Sequence, residues 1–171
     1  NPCLHPFIRN TVGSMEFGGC FLNKRLNRNN DGGTTRRTTD IFQLATTVLF
    51  QNPVQNFALA PNNLEDVSPV CMDYMKTIPT TWDETCFIDG YPGKYVVLAR
   101  RHGGTWYVAA INAGKETLKL KLDLEMFAGK TVSLYKDDKK GAPQLVPLKV
   151  KENGKVQLEI LPQGGAVLVN K

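Results

Sequence analysis

Leu118-Lys119-Leu120-Lys121-Leu122-Asp123-Leu124 alternates leucine with a charged residue along its whole length. Successive side chains of a strand point to opposite faces, so this run sets its leucines on one face and Lys119, Lys121 and Asp123 on the other. Val156-Gln157-Leu158-Glu159-Ile160 repeats the device, with Gln157 and Glu159 facing out. Working outward, turn-forming groups separate such segments: Tyr91-Pro92-Gly93, His102-Gly103-Gly104, Asn112-Ala113-Gly114, Ala128-Gly129, Lys140-Gly141-Ala142-Pro143 and Asn153-Gly154. Short strands spaced at roughly 8 to 12 residues predict a sandwich of two antiparallel sheets, with about seven strands between Cys86 and Asn170.

Upstream of Pro79 the rhythm changes to that of βα units. Thr11–Phe17 has the length of a strand, ended by Gly18-Gly19, and the polar stretch Asn23–Gly33 reads as a long surface loop. Ile41, Leu44, Ala45, Val48 and Leu49 share one helical face, with Asp40 placed as the N-cap and Pro53 as the stop. Val54–Leu59 predicts a second strand, and Leu64–Ile78 a helix with Pro69 at a first turn or marking a late start. Two such units imply two parallel strands, which need more neighbours than this chain supplies. The reading is therefore an α+β fragment, divided at Pro79 into residues 1–79 and 80–171. The opening Asn1-Pro2-Cys3-Leu4 reads as if cut from a longer chain.

Composition excludes several classes of function. The 171 residues carry 21 Lys and Arg against 16 acids, net +5, but the basic residues are dispersed. The densest stretch, Lys136 to Lys140, contains Asp137 and Asp138 and reads as a hairpin tip rather than a nucleic-acid surface. No stretch approaches the roughly 20 apolar residues of a membrane span. Cys3, Cys20, Cys71 and Cys86 form no C-x-x-C pair and have no metal-like spacing with His5 or His102, so they read as mostly buried thiols and no metal site is assigned.

Glu16 falls near the C-terminal end of the first predicted strand, the end that carries active sites in α/β barrels. A carboxylate there can act as acid, base or substrate clamp, against the competing reading of a structural carboxylate bonded to a loop. Arg9 and Asn10 just upstream, and Asn62 and Asn63 after the second strand, are candidates to hydrogen-bond a polar ligand such as a sugar. Asparagines after strands are also common turn formers. Thr81-Trp82-Asp83-Glu84-Thr85 gathers an aromatic and two acids at the junction of the two halves, where packing of Trp82 and capping by the acids is the favoured reading. Trp106 and Tyr107, in a strand, read as core or interface. Catalytic triads, phosphate-binding glycine loops and zinc motifs are absent, and His5 and His102 read as ordinary loop residues.

Several blocks together resemble the C-terminal third of glycoside hydrolase family 97. They are Pro6-Phe7-Ile8-Arg9, Gly13-Ser14-Met15-Glu16-Phe17, Phe50-Gln51-Asn52-Pro53-Val54-Gln55, Ile78-Pro79-Thr80-Thr81-Trp82-Asp83-Glu84-Thr85, and Gly93-Lys94-Tyr95-Val96-Val97-Leu98-Ala99-Arg100-Arg101. The resemblance spans essentially the whole chain. It implies the last two βα units of a (β/α)8 TIM barrel followed by a C-terminal antiparallel β-sandwich. It further implies an α-glucosidase or α-galactosidase acting on oligosaccharides in a Gram-negative periplasm, with calcium at the active site. The family's catalytic carboxylates and calcium ligands lie on earlier segments, so the fragment is expected to be inactive alone. Met15-Glu16-Phe17-Gly18-Gly19 departs from the family's usual MDYTPG run, and Leu59 stands where an acid is common.

The rival expectation is a non-catalytic β module that holds a carbohydrate or a protein, favoured if Trp106, Tyr107 or Tyr95 line an exposed groove. A quarter of a barrel would expose strand edges and apolar helix faces, which predicts self-association.

Overall fold

The protein is described by a computed structural model covering residues 1–170 except Gly18, Leu26, Arg28, Asn30 and Ala60, with Pro61, Asn62 and Asn63 described for their backbone alone. Leu26, Arg28 and Asn30 of the predicted loop 23–33 and the side chain of Asn62 thus lie outside the described residues.

Two short strands, β1 (Cys20–Phe21) and β2 (Phe57–Ala58), lie in the first half, and eight longer ones follow. These are β3 (Glu84–Tyr91), β4 (Tyr95–His102), β5 (Thr105–Asn112), β6 (Leu118–Asp123), β7 (Thr131–Asp137), β8 (Pro143–Lys149), β9 (Lys155–Ile160) and β10 (Gly165–Val169). Six of the longer strands form one antiparallel sheet in the order β3-β4-β5-β10-β7-β8, and β6 pairs with β9 as a second layer. The register sets Leu118 opposite Ile160, Leu120 opposite Leu158 and Leu122 opposite Val156. Their apolar face packs on Val97, Ala99, Val108, Ala110, Ala166 and Leu168 of the large sheet. The antiparallel sandwich read from the alternation is present, with eight strands rather than seven and with very unequal layers.

The other face of the large sheet is also covered. Helix α2 (Asp40–Leu49), which follows the single turn α1 (His5–Ile8), lies against it and buries Ile41, Phe42, Leu44, Ala45, Val48 and Leu49. Burial on both faces explains why β4, β5 and β10 are nearly continuous apolar runs while β6 and β9 alternate. In β10 all five residues are buried, Val167 and Val169 toward the helix and Ala166 and Leu168 toward β6 and β9.

The helix start differs from the expectation. Thr39, not Asp40, is the N-cap, its Oγ1 accepting the Phe42 N–H at 3.1 Å. Thr39 Oγ1 also donates to Asp137 Oδ2 at 2.9 Å, which accepts the Gly165 N–H at 3.2 Å, so one carboxylate ties helix α2 to β7 and β10. Asp40, in the first turn, pairs with Arg36 instead. A hydrogen-bonding threonine and an acid in the first turn both suit a helix N-terminus.

The barrel units expected in residues 1–79 are not evident. Residues 11–17 form a turn and irregular chain rather than a strand, because no ladder runs beside them; Met15 N–H donating to Gln51 O at 2.9 Å is a single backbone link. The strand expected over 54–59 shrinks to β2. It pairs in parallel with β1, Cys20 opposite Phe57, as a βα rhythm requires, but over two residues. The helix expected over 64–78 is a 3-10 turn (Pro61–Asp66) followed by α3 (Pro69–Met75), with Ser68 as N-cap and Pro69 in the first turn. Cys3, Cys20 and Cys71 are buried free thiols and Cys86 is half-buried. No helix among the described residues is long and apolar enough to cross a membrane.

Candidate functional site

The site begins with the segment 14–17. Met15 is buried and Phe17 packs edge-on against Phe50, ring centroids 4.8 Å apart. With its neighbours anchored inward, Glu16 points to solvent. It borders a cleft of about 480 Å³ shared with Ser14, Asn52, Pro53, Val54 and Asn56. Its carboxylate is therefore available to accept hydrogen bonds from a polar ligand, while Asn52 and Asn56 add an amide each.

The other predicted residues do not converge on Glu16. Arg9 is exposed at the end of α1 and does not border the cleft. Asn10 serves the loop instead: its Oδ1 accepts the Gln51 N–H at 3.2 Å and its Nδ2 donates to Gly13 O at 3.3 Å. Asn62 cannot be placed beyond its backbone turn. Asn52 and Asn56, which do border the cleft, sit in irregular chain, Asn56 within the stretch expected to be a strand and Asn52 just before it.

The chemistry open to this cleft is limited by its acids. Hydrolysis of a glycosidic bond by the usual route needs two carboxyl groups flanking the bond, and Glu16 is the one acid bordering the cleft. Nor do the residues fit calcium. Among the described residues, no group of three or more His, Cys, Asp or Glu side chains could hold a metal ion.

At the junction, Trp82 packs edge-on against Tyr107, centroids 5.3 Å apart, and lies beside Arg100, whose Cζ is 5.9 Å from the indole centroid. Asp83 Oδ2 accepts the Gly103 N–H at 2.7 Å and lies 3.5 Å from Arg101 Nη1, while Glu84 accepts from Arg101 Nε at 3.2 Å. Asp83 therefore caps the β4–β5 turn, and both acids pair with one arginine. Sequence reasoning passed over Arg100, although the period-two rule places it with Val96 and Leu98 on the face that α2 covers.

Residues 81–170 match the model of the glycosyl-hydrolase 97 C-terminal family, described as an oligomerisation domain. The chain belongs to that family. A retaining alpha-galactosidase of Bacteroides thetaiotaomicron is 29% identical over 178 aligned positions, covering 95% of this chain and 26% of that protein. The crystal structure of a beta-arabinopyranosidase superposes with a TM-score of 0.97 at 84% identity, covering 99% of this chain and 27% of the other. A family 97 enzyme from Pseudoalteromonas sp. strain K8, crystallised with acarbose, shares the fold at 23% identity and a TM-score of 0.81, over 98% of this chain and 28% of its own. The chain thus spans about a quarter of the length of each of these proteins.

Proposed function

We propose that this chain is the C-terminal part of a longer retaining glycoside hydrolase that releases α-galactosyl or the sterically related β-arabinopyranosyl units from oligosaccharides. The observation that carries this reading is the 84% identity to a beta-arabinopyranosidase along 99% of the chain, supported by the similarity to a retaining alpha-galactosidase. An L-arabinopyranoside is a galactopyranoside without its exocyclic hydroxymethyl group, so one pocket shape serves both. A glucoside, inverted at C4, is the poorer fit to this pair of relatives.

Residues 1–79 would then close the end of the catalytic barrel, with β1, α2 and β2 as its last units, and Glu16 would sit on the rim of the active site. The paired carboxylates, about 5 to 5.5 Å apart in a retaining enzyme, and any calcium ligands would come from earlier segments. We place the whole enzyme in the periplasm by its family resemblance. The rival reading, a free-standing carbohydrate-binding module, is weaker: Tyr107 is buried, and Trp106 and Tyr95 pack against the core between the sheets.

Hydrolysis of nitrophenyl α-galactoside, α-glucoside and β-L-arabinopyranoside tests the reading, using this chain and one extended toward the N-terminus, each with and without calcium. The 171-residue chain should be inactive and the longer one active on the first and third substrates. Turnover by the short chain above a Glu16→Gln control, or a longer chain that prefers the glucoside, would overturn it. The family's description as an oligomerisation domain also supports self-association, which light scattering should show as a particle of at least twice 19.0 kDa.

A further inference from the structure

Arg100 lies on the α2 side of the large sheet with no carboxylate near it among the described residues. It is 3% exposed, on the sheet face shared with Val96 and Leu98. Among the described residues no carboxylate or hydrogen-bond acceptor meets its guanidinium: its Nε–H is buried without a partner, and its neighbour is the Trp82 ring. The acids that follow Trp82 are engaged by Arg101. Burial lowers the Arg100 pKa from 12.5 to about 10, so the group remains charged at neutral pH. A lone buried charge is costly, and proteins that keep one usually supply it with a counter-ion.

Trp82, whose ring lies beside the guanidinium, also has a buried Nε1–H with no acceptor among the described residues. Both residues border a cleft of about 250 Å³, completed by Ser14, Asn52, Thr80 and Thr85. This is smaller than the roughly 300 Å³ at which pockets for drug-sized ligands begin, so it suits a small group rather than an oligosaccharide. Besides Pro53 and the Trp82 indole, its lining is hydroxyls, amides and one cation, with no acid. One guanidinium balances one negative charge, and its planar fork matches the two oxygens of a carboxylate. A phosphate dianion would leave a charge uncompensated.

We propose that the Trp82–Arg100 cleft is a binding site for a single carboxylate, held by the guanidinium of Arg100 with the cleft hydroxyls around it. The carboxylate comes either from a small free acid or from an acidic side chain of the polypeptide that flanks this chain in a longer protein.

The test uses the Trp106→Phe variant, in which Trp82 is the sole tryptophan. Sodium acetate is titrated across the millimolar range at ionic strength held constant with chloride, reading indole fluorescence and thermal midpoint. Expected are a saturable fluorescence change and, at a tenfold excess over the dissociation constant, a rise in Tm of about 3–6 °C. Adding Arg100→Met should abolish both responses. The same double variant should melt no lower than its parent without acetate, because the unneutralised charge has gone. Should it not fold, the ¹⁵N resonance of Arg100 Nε in the parent gives a second readout and must shift on the same acetate curve. A chain extended to the length of its relatives separates the two sources: response retained means a free acid, response lost in the longer chain means a flanking side chain already fills the site. No saturable response in the 171-residue chain, an equal response with Arg100→Met, or a response to inorganic phosphate but not to acetate would overturn the assignment.

Discussion

Replacing Gly165 with alanine should loosen the contact between helix α2 and the sheet, and the cost can be worked from the geometry. A Cβ at this position would lie 2.8 Å from Phe42 Cα and 2.9 Å from both Ile41 O and Phe42 N. Non-bonded carbons prefer about 3.5–4.0 Å, and these neighbours are helix backbone, which cannot rotate away. The helix must therefore retreat by close to 1 Å. Such a gap forfeits a quarter to a half of the contact energy along the seam between Phe42, Ala45 and β10, and overpacking of this kind costs about 1–3 kcal/mol. Loss of the Gly165 N–H bond to Asp137 adds about 1 kcal/mol. The reduced freedom of the unfolded chain returns about 0.4–1 kcal/mol. The net expectation is a loss of about 1–3.5 kcal/mol, a fall in Tm of about 2–14 °C for a chain of this size. Urea unfolding followed by tryptophan fluorescence should show a lower midpoint at unchanged slope. Gly104→Ala is the control, since nothing lies within 4 Å of a Cβ there. If Gly165→Ala costs no more than Gly104→Ala, the close approach of α2 does not hold the sheet as argued.

Asp137 gives a pH test. Burial raises its carboxyl from 3.8 to about 6, so between those values the native state keeps a proton that the unfolded chain has released. Its contribution is fully present below about pH 3.8 and is lost as pH rises through 6; Asp137→Asn should remove that decline, on the order of 2–3 kcal/mol, in denaturation curves run from pH 4 to 7. Asn112, 3% exposed, donates to Glu116 O at 2.8 Å and Leu161 O at 3.1 Å and accepts the Gly114 N–H at 2.8 Å. Asn112→Ala should cost about 2–4 kcal/mol, seen as a reduced urea midpoint, because it strands several buried polar groups at once. Phe127→Ala empties a fully buried position in the core between the sheets and should cost about 3–5 kcal/mol, again read by urea unfolding.

What could be read from the sequence follows from how many faces each element shows to water. β6 and β9 have one wet face, so Lys119, Lys121, Gln157 and Glu159 mark them plainly. β4, β5 and β10 have none, and their nearly continuous apolar runs say "buried" without saying by what; the unequal division into six strands and two was hidden there. Helix α2 was legible because a ten-residue amphipathic pattern leaves little alternative, although the choice of Thr39 over Asp40 as cap depended on Asp137, which lies far away in sequence. The misread strand at 11–17 had a suitable composition and lacked a neighbour to pair with. Strand formation is a property of two segments, and one of them was not in view. At the candidate site, Glu16 could be singled out by its type and place, whereas Asn52 and Asn56 approach it through irregular chain. Arg100 was within reach of the period-two rule, which puts a charge where that rule demands an apolar side chain.

The position of β10 has a consequence for the order of assembly. It is the last of these strands to be synthesised, yet it lies between β5 and β7 and bonds to both. Until Gly165–Val169 has left the ribosome, β3-β4-β5 and β7-β8 are separate pieces, each with an unpaired apolar edge. A nascent chain paused just short of those residues would therefore be a target for chaperones and for aggregation, and an in-frame deletion of them would be far more damaging than the loss of five residues suggests.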